Sequence, residues 1–281
     1  MKVAIIGADG FLGTKAAEIL SKNNEVVKAG KNSSENKLDV LNISEVRKFL
    51  LKYKPEVILD TVALTSSTKC ENNPRLAEDL NYKTAKNISE VANEIGAWMV
   101  FMSSSYLFDG KTGNYNEDDK TSPINEYART KIMAEKEILK NPKGIILRVD
   151  IMYGYNGKDK KNGVFDTVLS GNFIELREPH QLRQPIFVDD VPRLMMELVK
   201  RNKKGIFHLA GPDKMEIIEL LGNLESIVRE NSLIKINKSQ PVAIKIPENA
   251  TLNTAKMNGL GIKFTTFEKG LSVIKKRLIE N

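Results

Sequence analysis

Short apolar runs alternate along the first half of the chain with stretches whose apolar positions recur at helical spacing. VAIIG (Val3–Gly7), EVVKAG (Glu25–Gly30), EVILD (Glu56–Asp60), WMVFMS (Trp98–Ser103) and GIILRV (Gly144–Val149) read as strands. Between them, Gly10 to Lys22, Ser44 to Tyr53, Pro74 to Glu94 and Asn125 to Leu139 read as helices. Strands and helices in strict alternation with short connections predict an α/β fold built on a doubly wound parallel Rossmann sheet.

Past residue 150 the rhythm loosens. YGYNGKDKKNG is polar and turn-rich, IFVDDVPRLMMELV reads as a short strand entering a helix with Asp189 or Asp190 near its N-cap, and GIFHLAG (Gly205–Gly211) is a further strand. TTFEKGLSVIKKRLIEN closes the chain as an amphipathic helix. The expected division is a Rossmann domain over 1–150 and, over 151–281, a mixed region that returns to the sheet and forms a smaller substrate-facing lobe.

Composition narrows the function classes. The 281 residues are 41% hydrophobic and 28% charged, ample for a packed core, and no apolar run is long enough to span a membrane. The lone Cys70 excludes an intrachain disulfide and fits a reducing cytoplasm, the expected location; the start, MKVAIIGADG, lacks the pattern of a secretory signal. His180 and His208 have no ligand spacing around them, so no metal site is expected. The net charge of +7 is scattered over helices and loops without a nucleic-acid-reading motif. It suits a solvated surface or an anionic small molecule better than nucleic acid.

Gly7-Ala-Asp-Gly10-Phe-Leu-Gly13 follows the first strand and opens the first helix, the setting in which glycines permit a tight turn and close approach to a pyrophosphate. Gly7, Asp9, Gly10, Phe11, Leu12 and Gly13 are therefore candidate dinucleotide contacts, with the anion at the helix N-terminus. The second strand ends VVKAGKNSS, without the carboxylate that meets the ribose in NAD-preferring sites. Lys31 could meet a 2′-phosphate there instead, which favours NADP(H) over NAD(H).

Tyr127 and Lys131 stand four apart on a predicted helix and so share a face, and Ser104 ends the fourth strand. A phenol titrates near pH 10, and a neighbouring ammonium favours its phenolate, bringing it toward useful acid/base strength. Tyr82 and Lys86 repeat the spacing, but no serine cluster precedes them, and they read as solvent-facing helix residues.

These segments resemble the dTDP-4-dehydrorhamnose reductase family of extended short-chain dehydrogenases/reductases. The GxxGxxG spacing is of the extended type, GAWMVFMSSSYLFDG is similar to that family's strand with its S-T-D-Y-V-F-D-G core, and PINEYARTK matches the stretch holding the catalytic Tyr and Lys. LRVDIMYG is similar to LRTSWVYG, and PEVILDTVALT to PDVVVNAAAYT. The resemblance implies reduction of the C4 ketone of a nucleotide-linked 4-keto-6-deoxy sugar, with Ser104, Tyr127 and Lys131 catalytic. It further implies cofactor contacts at Val62, Ala63 and Leu64, an adenine contact at Asp39 in the segment ending at Val40, and a site-shaping role for Asn81. Ser105, Ile151 and Gln184 fall on the sugar side. Ser105 stands where the family has Asp, Asp60 where it has Asn, and Ile151 where it often has Trp. Two rivals carry the same signals: a nucleotide-sugar epimerase or dehydratase, and a non-catalytic NADP-binding regulatory subunit of methionine adenosyltransferase. A dehydratase needs acid/base groups beside the serine, where Ser105-Tyr106 offers no carboxylate. A homodimer is expected by analogy with the class alone.

Overall fold

Strand β1 (Lys2–Ile6) is buried on both faces, Val3 and Ile5 joining one hydrophobic cluster and Ala4 and Ile6 another. A strand covered on both sides has no polar face to alternate with, which is why it reads as a continuous apolar run. The structure, a computed structural model, describes every residue except Ser34, Arg177, Glu230, 238–243 and Asn281.

From β1 the chain enters α1 (Phe11–Leu20), β2 (Glu25–Ala29), α2 (Ile43–Tyr53) and β3 (Val57–Asp60). Two short helices, α3 (Ser67–Asn72) and α4 (Pro74–Glu78), then run through one π turn at Asp79–Lys83 into α5 (Thr84–Glu94). β4 (Trp98–Ser104), α6 (Glu126–Ile138) and β5 (Gly144–Val149) complete the first half. The single helix expected over Pro74–Glu94 is thus interrupted, and the π turn rotates Asn81 into the interior.

The second half contains β6 (Met152–Tyr153), α7 (Phe165–Leu169), β7 (Ile174–Leu176), β8 (Leu182–Arg183), β9 (Ile186–Phe187), α8 (Asp190–Lys200), β10 (Gly205–Leu209), β11 (Met215–Glu216), α9 (Ile217–Ser226), β12 (Ile234–Ile236), α10 (Ala255–Asn258) and α11 (Phe267–Glu280). The main sheet has the order β10-β5-β4-β3-β1-β2, and every pairing in it is parallel. The order in which successive strands are added reverses between β1 and β3, the crevice where doubly wound sheets bind ligands. The other short strands form three separate pairs. A third core, including Tyr153, Phe165, Phe187, Leu224 and Phe267, lies among these later elements.

The anticipated aspartate N-cap of α8 is corrected in one respect. Asp189 stands at that position without capping; its carboxylate receives Arg277, and that of Asp190 receives the Thr265 amide at 2.6 Å. Both acids tie α8 to the C-terminal segment. Among the described residues no helix is long and apolar enough to cross a membrane, and no cluster of candidate metal ligands is present.

Candidate active site

The loop between β1 and α1 is drawn tight by Gly7 and Ala8, whose amides both reach the Ala29 carbonyl at the end of β2. Gly7 has φ +88°, a conformation open to glycine, and a Cβ on Gly13 would collide with the Gly7 carbonyl. Gly10 caps α1 without a side-chain hydrogen bond, and no acid lies in the first turn. Gly10, Phe11 and Leu12 border the cavity, so the unpaired first-turn amides and the positive end of the helix dipole face it. That arrangement fits a dinucleotide pyrophosphate.

The cavity, of about 520 Å³, lies over the C-terminal ends of β1, β3, β4 and β5. Ser104, Tyr127 and Lys131 all line it. Asn125 caps α6 by accepting the Ala128 amide at 2.9 Å, which sets Tyr127 in the first turn and Lys131 one turn later. Burial pushes the Tyr127 phenol up to about 12, opposed by a hydrogen bond with Ser104. Lys131 donates to the Met102 carbonyl at 2.7 Å and lies 4.4 Å from the centre of the Phe101 ring. The expected lowering of the phenol by that ammonium is therefore not what the geometry provides: the lysine is spent on β4, and desolvation dominates both groups. Burial draws Lys131 itself down to about 8, against the opposing charges of Asp60 and Glu135. Asp60, 1% exposed at the end of β3, is raised to about 6 by burial; one oxygen accepts the Val62 amide at 3.0 Å and the other has no partner among the described residues.

The opposite side of the cavity includes Val149, Asp150, Ile151, Met152 and Val164. Ile151 thus lines the cavity, whereas Ser105 and Gln184 do not. Ser105 is fully buried and donates to Asp150 at 2.7 Å. Gln184 uses its amide group on the Gly211 carbonyl at 2.8 Å and its oxygen on the Leu252 amide at 2.9 Å. Asp150 takes the Gln184 amide on its second oxygen at 2.6 Å.

Of the residues expected at the cofactor, Ala63 lines the cavity, while Val62 and Leu64 pack beside it. Leu64 is held by Asn81, which accepts its amide at 2.7 Å and donates to Thr130 of α6 at 3.1 Å. Asp9 borders a second cavity of about 600 Å³ on the β2 side of the loop. Lys31 is exposed and lines neither cavity. Asp39 accepts the Leu41 amide at 3.0 Å in a turn ahead of α2, and the Val40 carbonyl is held by Asn87 at 3.1 Å; these two also lie off both cavities. Tyr82 lies in the π turn and Lys86 beyond it on α5, exposed, so their α-helical spacing is broken. Sequence reasoning missed Tyr106, whose ring meets Tyr127 edge-on at 6.3 Å, and Ser103, whose buried hydroxyl has no partner among the described residues. It also missed Lys161, from the polar stretch read as turns, and Asp166, from the first turn of α7, both of which border the cavity. Ser103 and Tyr106, one residue before Ser104 and two past it, are within reach of the motif; Lys161 and Asp166 carry no local signal.

Methionine adenosyltransferase 2 subunit beta of Bos taurus is 30% identical over 96% of this chain and 86% of its own length. Two solved structures share the fold. A dTDP-4-dehydrorhamnose reductase of Bacillus anthracis, in complex with NADP, has a TM-score of 0.87 at 22% identity, covering 100% of this chain and 99% of its own. The reductase ortholog of Clostridium acetobutylicum has a TM-score of 0.85 at 24% identity, covering 100% of both. The profile of the RmlD substrate binding domain matches residues 1–279, and the chain belongs to that family.

Proposed function

We propose that the protein is an NAD(P)H-dependent reductase of a nucleotide-linked 4-keto-6-deoxy sugar, dTDP-4-dehydrorhamnose first among them. The observation that carries this reading is one cavity bordered at once by the glycine loop, Ser104, Tyr127 and Lys131. A bound nicotinamide would supply the hydride. A phenol held up to about 12 is protonated at neutral pH, the state an acid needs to protonate O4 as the ketone is reduced. Ser104, which hydrogen-bonds that phenol, orients the carbonyl and stabilises charge developing on its oxygen. Lys131, at about 8, keeps most of its positive charge at neutral pH on the border of the same cavity, where it would hold the cofactor ribose.

A second reading is favoured by the identity to the methionine adenosyltransferase subunit: a nucleotide-binding regulatory subunit without turnover. One experiment separates the two. NADH or NADPH oxidation is followed with dTDP-4-dehydrorhamnose, for wild type and Tyr127→Phe. The reductase reading expects turnover, reduced about 10²–10⁴-fold in the variant, with dinucleotide binding kept. Dinucleotide binding without turnover, joined to a changed rate of an added methionine adenosyltransferase, would replace it with the regulatory one.

A further inference from the structure

The end of β2 carries no acid in sequence, yet a carboxylate stands there in space. Asp9, two residues after Gly7 in the glycine loop, reaches across to it, and its Oδ2 accepts the Asn32 amide at 3.2 Å. The same oxygen lies against the bare Cα of Gly30, where any Cβ would collide with it. Gly30 is thus the residue that admits Asp9, and the loop and the strand end are fitted to each other. The second carboxylate oxygen of Asp9 has no protein partner among the described residues. Asp9 is exposed and borders the 600 Å³ cavity together with Ala8, Ser33, Lys28 and Glu35.

The charges around that cavity point one way. Lys28 is ion-paired with Glu35, so its charge is neutralised within the protein. Lys31, the cation suggested by sequence for a 2′-phosphate, is on the surface and borders neither cavity. Glu18, also on the rim, is paired with the buried Lys15 at 2.6 Å. Lys160 also stands on the rim, without an ion pair among the described residues.

We infer that Asp9 replaces the missing acid of β2, accepts the adenosine ribose hydroxyls, and makes the site select NAD(H) over NADP(H). A ribose diol offers donors to a carboxylate. A 2′-phosphate would set about −1.5 to −2 charges against it. This inference rests on the dinucleotide-binding reading above and reverses the cofactor preference expected from the second strand alone.

The test is the dissociation constants of NADH and NADPH, by fluorescence titration, for wild type, Asp9→Asn and Asp9→Arg. Wild type is expected to bind NADH at least about tenfold more tightly. Asp9→Asn, which keeps an oxygen for the Asn32 amide, should bring the two within about threefold, and Asp9→Arg should reverse the order. Wild type binding NADPH as tightly as NADH, or a ratio unmoved by both substitutions, would overturn the inference and leave the dinucleotide reading standing. Binding of neither cofactor would overturn both.

Discussion

The two walls of the cavity treat their polar groups in opposite ways. On the wall carried by β3, β4 and α6, Ser103, Ser104, Tyr127 and Lys131 border the cavity, and the buried Ser103 hydroxyl and one Asp60 oxygen have no partner among the described residues. On the wall that begins at the end of β5, the polar groups serve the protein: Asp150 holds Ser105 and the Gln184 backbone, and Gln184 joins Gly211 to Leu252. What that second wall offers a ligand is largely aliphatic, Val149, Ile151, Met152 and Val164, with Lys161 added from the following loop and Asp166 from α7. Reactive groups must face the reacting atoms, whereas a wall that selects shape needs a backbone fixed by bonds of its own.

The largest effect that would break this contrast is expected on the first wall. Ser104→Ala removes the hydroxyl that the proposed reaction uses on the ketone and the acceptor for the Tyr106 amide at 3.1 Å. Turnover should fall about 10²–10³-fold, the usual cost of one donor to a developing oxyanion, while urea denaturation shifts by only about 1 kcal/mol. A stability loss large enough to account for the fall in turnover would make Ser104 part of the scaffold instead.

The walls also differ in how much of them was legible. The sheet, its helices and the Ser104, Tyr127 and Lys131 set follow from local pattern, because a strand buried on both faces and a helix face at spacing four write themselves into consecutive residues. The second wall is assembled by long-range bonds such as Gln184 to Leu252, and its short strands are too brief to show a period. Ser105 and Gln184 therefore read as sugar contacts by alignment with a motif, although their side chains turn inward. Asp9 was legible as a member of the glycine loop, but its place beside the end of β2 was not, because sequence order alone cannot show that meeting.

Asp60 supplies a smaller effect with a definite pH signature. Its folded pKa, about 6, lies above the ordinary value of 3.8, so between these pH values the folded state holds more protons than the unfolded chain. Stability from this group is therefore full below pH 3.8 and declines as pH rises toward 6, where the buried acid ionises. Asp60→Asn should leave stability near pH 4 unchanged and raise it by about 1–2 kcal/mol near pH 8. Urea denaturation at the two pH values measures the difference. An equal change at both would mean that packing, not charge, separates the variants.

Ser105→Ala is the smallest and sharpest comparison, because its target is the neighbour of Ser104 on the same strand end. The two hydroxyls point to opposite sides of the chain. Ser105 is wholly buried and meets Asp150 at 2.7 Å, and that bond is one of those holding the buried carboxylate of Asp150 against the upward pull of burial. Removing it should lower stability by about 1 kcal/mol. Asp150 keeps the Gln184 amide and the nearby positive charge of Arg183, so the wall should hold its shape. KM for the sugar nucleotide should then stay within about twofold, since a difference of 1.4 kcal/mol in binding would be needed for tenfold. A contact role would give the reverse, KM raised with stability untouched, and would mean that the second wall also spends its polar groups on the ligand.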